Sequence, residues 1–192
     1  SSDLPMGQAA GLIGPDEAGR TTMMELLAGH LMPTGGRVRL SGIDLRTARL
    51  TAGERVGYLP SRMPDWGHMS VRDILAFGAQ GRAIPLAQHE QRLTDAARMG
   101  GIEATLDEPW AALDLAWHRQ VGLGLLMLQS PDTLLLDRAL EGLDARSRTR
   151  LAGVFASLHG RLALLISGVT PDFGPLACDQ VLVLDAGHLT YA

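Results

Sequence analysis

The chain reads as an α/β domain with a mainly parallel sheet, helices on both of its faces and a helical insertion. Three observations predict this. Short apolar runs of strand length alternate with helical patterns along the chain, the order that yields a buried parallel sheet. A glycine-rich turn, Gly14–Gly19, lies between the first apolar run and the first helical segment. The 192 residues, 46% of them hydrophobic, suffice for one core with a small inserted subdomain.

In chain order, Ala9–Ile13 is an apolar strand and the glycine turn follows it. A helix is expected from about Arg20 to Leu31, stopped by Pro33-Thr34-Gly35-Gly36. Val38–Leu40 reads as a strand, Ser41-Gly42-Ile43-Asp44 as a turn, and Arg55–Leu59 as a strand closed by Pro60. From Ser70 to about Gly100 the pattern is helical: Val71, Ile74, Leu75 and Phe77 recur at helical spacing, as do Leu93, Ala96, Ala97 and Met99. Residues 63–117 are accordingly an inserted helical subdomain between core parts 1–62 and 118–192. Arg119–Gln129 is a helix leading into the strand Thr133–Asp137; Ser147–Leu158 is a helix; Leu162–Ser167 and Gln180–Leu184 are strands.

Composition excludes several classes. A net charge of −4 argues against nonspecific nucleic-acid binding and against a polybasic membrane anchor. No apolar run approaches the ~18 residues of a membrane span, so no direct membrane insertion is expected; the longest is Val121–Leu128. The start, Ser-Ser-Asp-Leu-Pro, has no secretory pattern, and its lack of an initiator Met reads as a fragment or a processed chain. One cysteine, Cys178, fits a reducing compartment. All 17 basic residues are Arg, with no Lys and no Asn anywhere. On a surface that exchange costs little, but Arg cannot replace a Lys whose compact ammonium does chemistry.

The strongest local feature is Gly14-Pro15-Asp16-Glu17-Ala18-Gly19-Arg20-Thr21-Thr22 between a strand and a helix. Backbone N–H groups of such a turn, with the helix N-terminus, point at bound phosphates. The usual spacing is G-x-x-x-x-G-K-S/T. Gly14 and Gly19 match it, Thr21 is placed to hold Mg²⁺, and Arg20 stands at the Lys position.

Further motifs follow in a fixed order: Leu26–Gly36, Val38–Asp44, Val56–Pro60, Leu134-Leu135-Leu136-Asp137 with Glu141-Gly142-Leu143-Asp144, and Gln180–Gly187. Together with the phosphate loop they resemble the nucleotide-binding domain of ABC-type ATPases, a P-loop NTPase fold, from about Gly11 to His188. Ile13-Gly14-Pro15-Asp16 looks like exporter-type members. The resemblance implies ATP and Mg²⁺ as cofactors, with Thr21 and Asp137 on the metal. It also implies a second nucleotide-binding domain and a membrane permease as partners, at the cytoplasmic face of the membrane. By this resemblance the family's N-terminal antiparallel strands, with the aromatic that stacks on adenine, are expected to be missing from this sequence, either because that piece was lost from it or with weaker adenine binding as the result.

The departures concern catalysis. By the same resemblance, Arg20 replaces the Lys that pairs the phosphates, Ser61 the Gln that senses Mg²⁺ and water, Arg138 the catalytic Glu, and Val169 the switch His. Arg138 cannot be a general base, because a guanidinium stays protonated. The signature L-S-G-G-Q corresponds to Leu113-Asp114-Leu115-Ala116-Trp117, where Asp114 brings negative charge toward a partner's γ-phosphate and Leu115 adds bulk. Little or no ATP hydrolysis is expected. Three functions compete: an impaired ATP-binding transporter domain, a structural or regulatory pseudo-ATPase that binds no nucleotide, and an active ATPase with unorthodox residues. Asp144 alternatively reads as a helix N-cap. Trp66, Trp110 and Trp117 read as packing within the insertion before interface anchors. The six His show no metal spacing, His89 and Glu90 read as solvated, and Met23, Met24, Met32, Met63, Met69 and Met99 as core filler.

Overall fold

The structure, a computed structural model, describes residues 4–36, 38–40, 43–44 and 55–191. Eight strands are described: β1 (Ala9–Ile13), β2 (Arg39–Leu40), β3 (Ile43–Asp44), β4 (Val56–Leu59), β5 (Thr133–Leu136), β6 (Ala163–Gly168), β7 (Gln180–Asp185) and β8 (His188–Tyr191). The helices are α1 (Arg20–Leu27), α2 (Val71–Gly81), α3 (His89–Gly100), α4 (Leu115–Met127) and α5 (Ala145–Leu158). Six strands form one sheet in the order β4-β5-β6-β1-β7-β8. All neighbours in it are parallel except β7 and β8. Strands β2 and β3 make a separate antiparallel pair. Residues 41 and 42, half of the expected Ser41–Asp44 turn, lie outside the described residues.

Alternation along the buried strands splits the core into two layers, because successive side chains point to opposite faces. Leu134, Leu136, Leu164 and Ile166 pack on the layer that holds Ile74, Leu75, Ala96, Leu123, Leu151 and Phe155 of α2 to α5. Leu12, Leu135, Leu165, Leu182 and Leu184 pack on the other, with Met24 of α1. The expected sheet with helices on both faces is therefore present.

Several element boundaries differ from expectation. The first helix ends at Leu27, four residues early, because Gly29 takes a left-handed φ of 74° and the His30 N–H turns back to the Glu25 carbonyl. That is a glycine stop, upstream of the Pro33–Gly36 signal. The helical stretch 70–100 is two helices joined by a short 3-10 turn at Leu86–Gln88. Ser70 caps the first by accepting from the Asp73 N–H at 3.1 Å. Phe77 is exposed rather than in the core, and meets Trp66 edge-on at 5.7 Å. Met24 is core filler as expected, whereas Met32 is half exposed. Trp110 is buried and stacks on His118 at 3.8 Å, and Trp66 and Trp117 are partly buried against the core. His89 is not merely solvated: its Nε2 lies 2.8 Å from the Ile84 carbonyl.

Candidate functional site

The loop after β1 uses its two glycines differently. A Cβ on Gly14 would collide with the Leu184 carbonyl oxygen, so this glycine lets the strand end pass against β7. Gly19 has a φ of 89° and open space where its Cβ would stand. It turns the chain from the 3-10 turn Asp16–Ala18, where the Ala18 N–H donates to the Pro15 carbonyl, straight into α1. No side chain caps α1. The first N–H groups of a helix have no intrahelical partners, which leaves them to an anion.

The end of β5 delivers Asp137, fully buried, beneath that loop. Its Oδ2 accepts from Thr21 Oγ1 at 2.9 Å and from the Tyr58 hydroxyl at 3.4 Å; its Oδ1 accepts from Ser167 Oγ at 2.8 Å. Burial, with the Asp137 and Glu25 charges, raises the Tyr58 hydroxyl well above the ordinary tyrosine range, so it remains a donor. Ser167 also accepts from the Arg138 backbone N–H at 2.8 Å, which ties β6 to the turn after β5. Arg138 sits there with a φ of 52°, a left-handed conformation unusual for a residue with a side chain.

Arg20 and Arg138 share two carboxylates. Arg20, 2% exposed, donates from Nη1 to Glu141 Oε1 at 2.9 Å and from Nη2 to Asp16 Oδ1 at 2.8 Å. Arg138 donates from Nε to Glu141 Oε2 at 2.6 Å, and its Nη2 lies 3.3 Å from Asp16 Oδ1. The four side chains close a ring of alternating charge over the loop. The Glu141 hydrogen bond raises the Arg138 guanidinium above its already high range, so protonation is secure and the residue has no capacity as a base. From the far side Arg119, buried in α4, holds the turn by donating from Nη1 to the Ala139 and Glu141 carbonyls at 2.9 and 2.7 Å.

The other positions that depart from the family's motifs sit at the ends of strands and helices. Ser61 is two residues past the end of β4 and half-buried. Val169 directly follows β6 and is 53% exposed, an apolar side chain facing water. In the signature segment Asp114 is the N-cap of α4, accepting from the Trp117 N–H at 2.8 Å, with Arg150 stacked over the Trp117 ring at 4.1 Å. Asp144, quoted in the motif after Asp137, is likewise a cap: it accepts from the Ser147 N–H at 2.9 Å at the start of α5.

Thr21 and Asp137 suit Mg²⁺: a hydroxyl and a carboxylate oxygen already 2.9 Å apart are hard donors. Mg²⁺ ordinarily takes one or two protein oxygens and completes its shell with water and substrate phosphate. Gly19 and the start of α1 suit the phosphates, and no atom stands where a Gly19 Cβ would be. The sequence motifs do not assign Glu141, Ser167 or Tyr58 to the site, where the fold places them. The signal for Glu141 was the coincidence of two new arginines, at 20 and 138, with acids in the same two motifs.

A family model described as ABC transporter matches residues 1–141. The sulfate/thiosulfate import ATP-binding protein of Thermosynechococcus vestitus is 28% identical over 189 residues, covering 97% of this chain and 56% of that protein. Its counterpart in Escherichia coli K12 is 31% identical over 199 residues, covering 100% of this chain and 54% of that protein. The chain thus spans little more than half the length of these relatives. Both are import proteins by name, whereas Ile13–Asp16 resembles exporter-type loops; four residues of a loop common to a family discriminate poorly between its branches. The solved structure of cbiO1 from Clostridium perfringens, titled as part of the ABC transporter complex cbiONQ, superposes with a TM-score of 0.86 at 23% identity, covering 98% of this chain and 78% of that one. The fold and the loop expected from the residues, with the sheet order of the structure, thus agree with the match to the family model: this chain belongs to the ABC transporter family, as a nucleotide-binding domain with the P-loop NTPase fold.

Proposed function

We propose that this chain is the ATP-binding domain of an ABC transporter and is impaired in catalysis. In this reading it pairs with a second nucleotide-binding domain and rests on a membrane permease at the cytoplasmic face. Residues 63–117 serve as the inserted helical subdomain between core parts 1–62 and 118–192. The relatives named as import ATP-binding proteins, and the neighbour titled as part of a transporter complex, support the assignment. Among the described residues no helix is long and apolar enough to cross a membrane.

Gly14, Pro15, Asp16, Glu17, Ala18, Gly19, Arg20, Thr21 and Thr22 form the phosphate cradle in this reading, and Thr21 and Asp137 hold Mg²⁺. Bound Mg²⁺ would neutralise charge on the phosphates. The single observation that carries the impairment is Arg138. The residue after Asp137 is a cation locked on Glu141 at 2.6 Å, where a water-activating carboxylate would be needed. Ser61 and Val169 supply neither a water sensor nor a switch.

Two measurements test this. Calorimetric titration with Mg-ATP is expected to show weak, Mg²⁺-dependent binding. Phosphate release is expected to stay at background, and turnover near ~1 s⁻¹ that Asp137→Ala abolishes would sink the impairment. The second reading, a pseudo-ATPase without nucleotide, is favoured by one observation: both terminal nitrogens of Arg20 are already committed to carboxylates. Absence of any Mg-ATP binding, in this chain and in its variants, would select it.

A further inference from the structure

The ring of Asp16, Arg20, Glu141 and Arg138 is internally neutral, with two cations and two anions alternating within 3.3 Å. Its most buried member is a cation at the position where the family meets phosphate. The Nε of Arg20 is buried and makes no hydrogen bond, so its two terminal nitrogens do all the pairing. A buried guanidinium needs an anion, because an uncompensated buried charge is costly. In this chain two carboxylates provide it. They come from opposite sides: Asp16 from the loop itself and Glu141 from the turn after β5.

We propose that Asp16 and Glu141 act as internal stand-ins for nucleotide phosphate, holding Arg20 and Arg138 in a closed ion-pair ring that a polyphosphate must open before both arginines can transfer to it. The inference rests on the proposed nucleotide binding and assigns the ring its regulation. Arg138, at the family's base position, becomes a phosphate-binding residue in the opened state. The two carboxylates are unequal. The Asp16 side chain is 62% exposed, so solvent screens its pairs with both arginines and they release readily. Glu141, only 23% exposed, receives both guanidinium groups on separate oxygens and is anchored through its backbone carbonyl by Arg119. Glu141 is therefore the bolt, and its release controls access. A phosphate bearing several negative charges suits two adjacent guanidinium groups, whose planar forks pair bidentately with phosphate oxygens.

The experiment compares the unaltered chain with Glu141→Gln, Asp16→Asn and Glu17→Gln by calorimetric titration, using Mg-ATP and, separately, inorganic pyrophosphate. Glu17 is an exposed carboxylate of the same loop outside the ring, so its variant reads the general benefit of removing one negative charge. Glu141→Gln is expected to tighten both ligands by about tenfold or more, the scale of one charge-assisted hydrogen bond. Asp16→Asn should give a smaller gain and Glu17→Gln the least. Asp16→Asn changes an exposed side chain, so it keeps the test alive if Glu141→Gln folds poorly. Binding that appears only in the ring variants supports the latch in its strongest form. Equal gains from Glu17→Gln and the ring variants overturn it, as do unchanged or weaker affinities in the ring variants while the unaltered chain binds; nucleotide binding itself then stands. No binding in any variant overturns both the latch and the nucleotide reading.

Discussion

The phosphate loop and the signature segment both carry a carboxylate where the family meets phosphate, yet the two are partnered in different ways. At the loop, Asp16 and Glu141 are matched by two arginines, one of them almost wholly buried. At the signature, Asp114 is an exposed residue capping its own helix through the Trp117 N–H, and its nearest cation, Arg150, is 3.7 Å away. The loop end therefore keeps two guanidinium groups, balanced by exchangeable carboxylates, that an incoming anion can recruit. The signature end has its helix N-terminus satisfied by a fixed local anion, and Leu115 stands beside Gly142 of the turn after β5. On the proposed reading, one half of a composite ATP site is held by exchangeable ion pairs, whereas the other is capped by the Asp114 carboxylate itself.

The largest effect that would sharpen this contrast is in catalysis. Arg138→Glu alone is expected to leave phosphate release at background. It removes a cation from the ring and leaves Arg20 facing Asp16, Glu141 and the new carboxylate, while Ser61, Val169 and the signature stay unrepaired. Adding Arg20→Lys, Ser61→Gln, Val169→His and Asp114-Leu115-Ala116→Ser-Gly-Gly should raise single-turnover hydrolysis by about 10³-fold or more over the single variant, the scale of one transition-state contact. Groups that act as a unit are strongly non-additive. If the single change performed as well as the full set, the closed signature would be irrelevant to turnover.

Stability gives the next largest effect and tests the ring without nucleotide. Glu141→Ala leaves Arg20 buried with only the exposed Asp16 for a partner, and is expected to cost about 3 kcal/mol in denaturant unfolding. Arg20→Met removes the buried cation and fills its volume with apolar atoms, while Glu141 keeps Arg138; it is expected to cost less than 1 kcal/mol, or to stabilise. Equal losses would mean that the pairs contribute independently and that the ring is not a unit.

The sequence made the sheet legible because its strands are short, apolar and bounded by turn residues, as at Thr133–Leu136 and Ala163–Gly168. The loop was legible because glycine spacing reports backbone geometry directly, although the separate reasons for Gly14 and Gly19 needed the fold: one is a collision with β7, the other a left-handed φ. The helix ends at Leu27 and not Leu31 because a single Gly29 outcompetes a stronger-looking Pro and Gly cluster downstream. Motif spacing places Glu141 in the turn after β5 but assigns it no role. Its partner Arg20 is 121 positions away, and no local pattern reports a contact made by the parallel arrangement of β1 and β5 around β6. Phe77 fits the helical period, yet period alone does not say that its place on the helix meets Trp66 at the surface and not the core.

The smallest effects belong to the two caps, and they separate local structure from site chemistry. Asp114→Ala removes the acceptor for the Trp117 N–H, and a lost N-cap costs roughly 1 kcal/mol. That loss should appear in thermal unfolding with no change in Mg-ATP affinity of this chain alone, since the family places the signature opposite a partner's nucleotide. Asp144 offers a pH test. The Ser147 backbone N–H, followed by its hydroxyl, holds the Asp144 carboxyl below its usual range. A group whose folded value is depressed stabilises the fold above its unfolded value, near ~3.9 for Asp. That contribution is lost as pH falls through the folded value. The acid limb of the stability curve should therefore be flatter in Asp144→Asn than in the unaltered chain below about pH 4. Parallel acid limbs in the two proteins would mean that the Ser147 contacts are formed to the same extent whether or not residue 144 is charged.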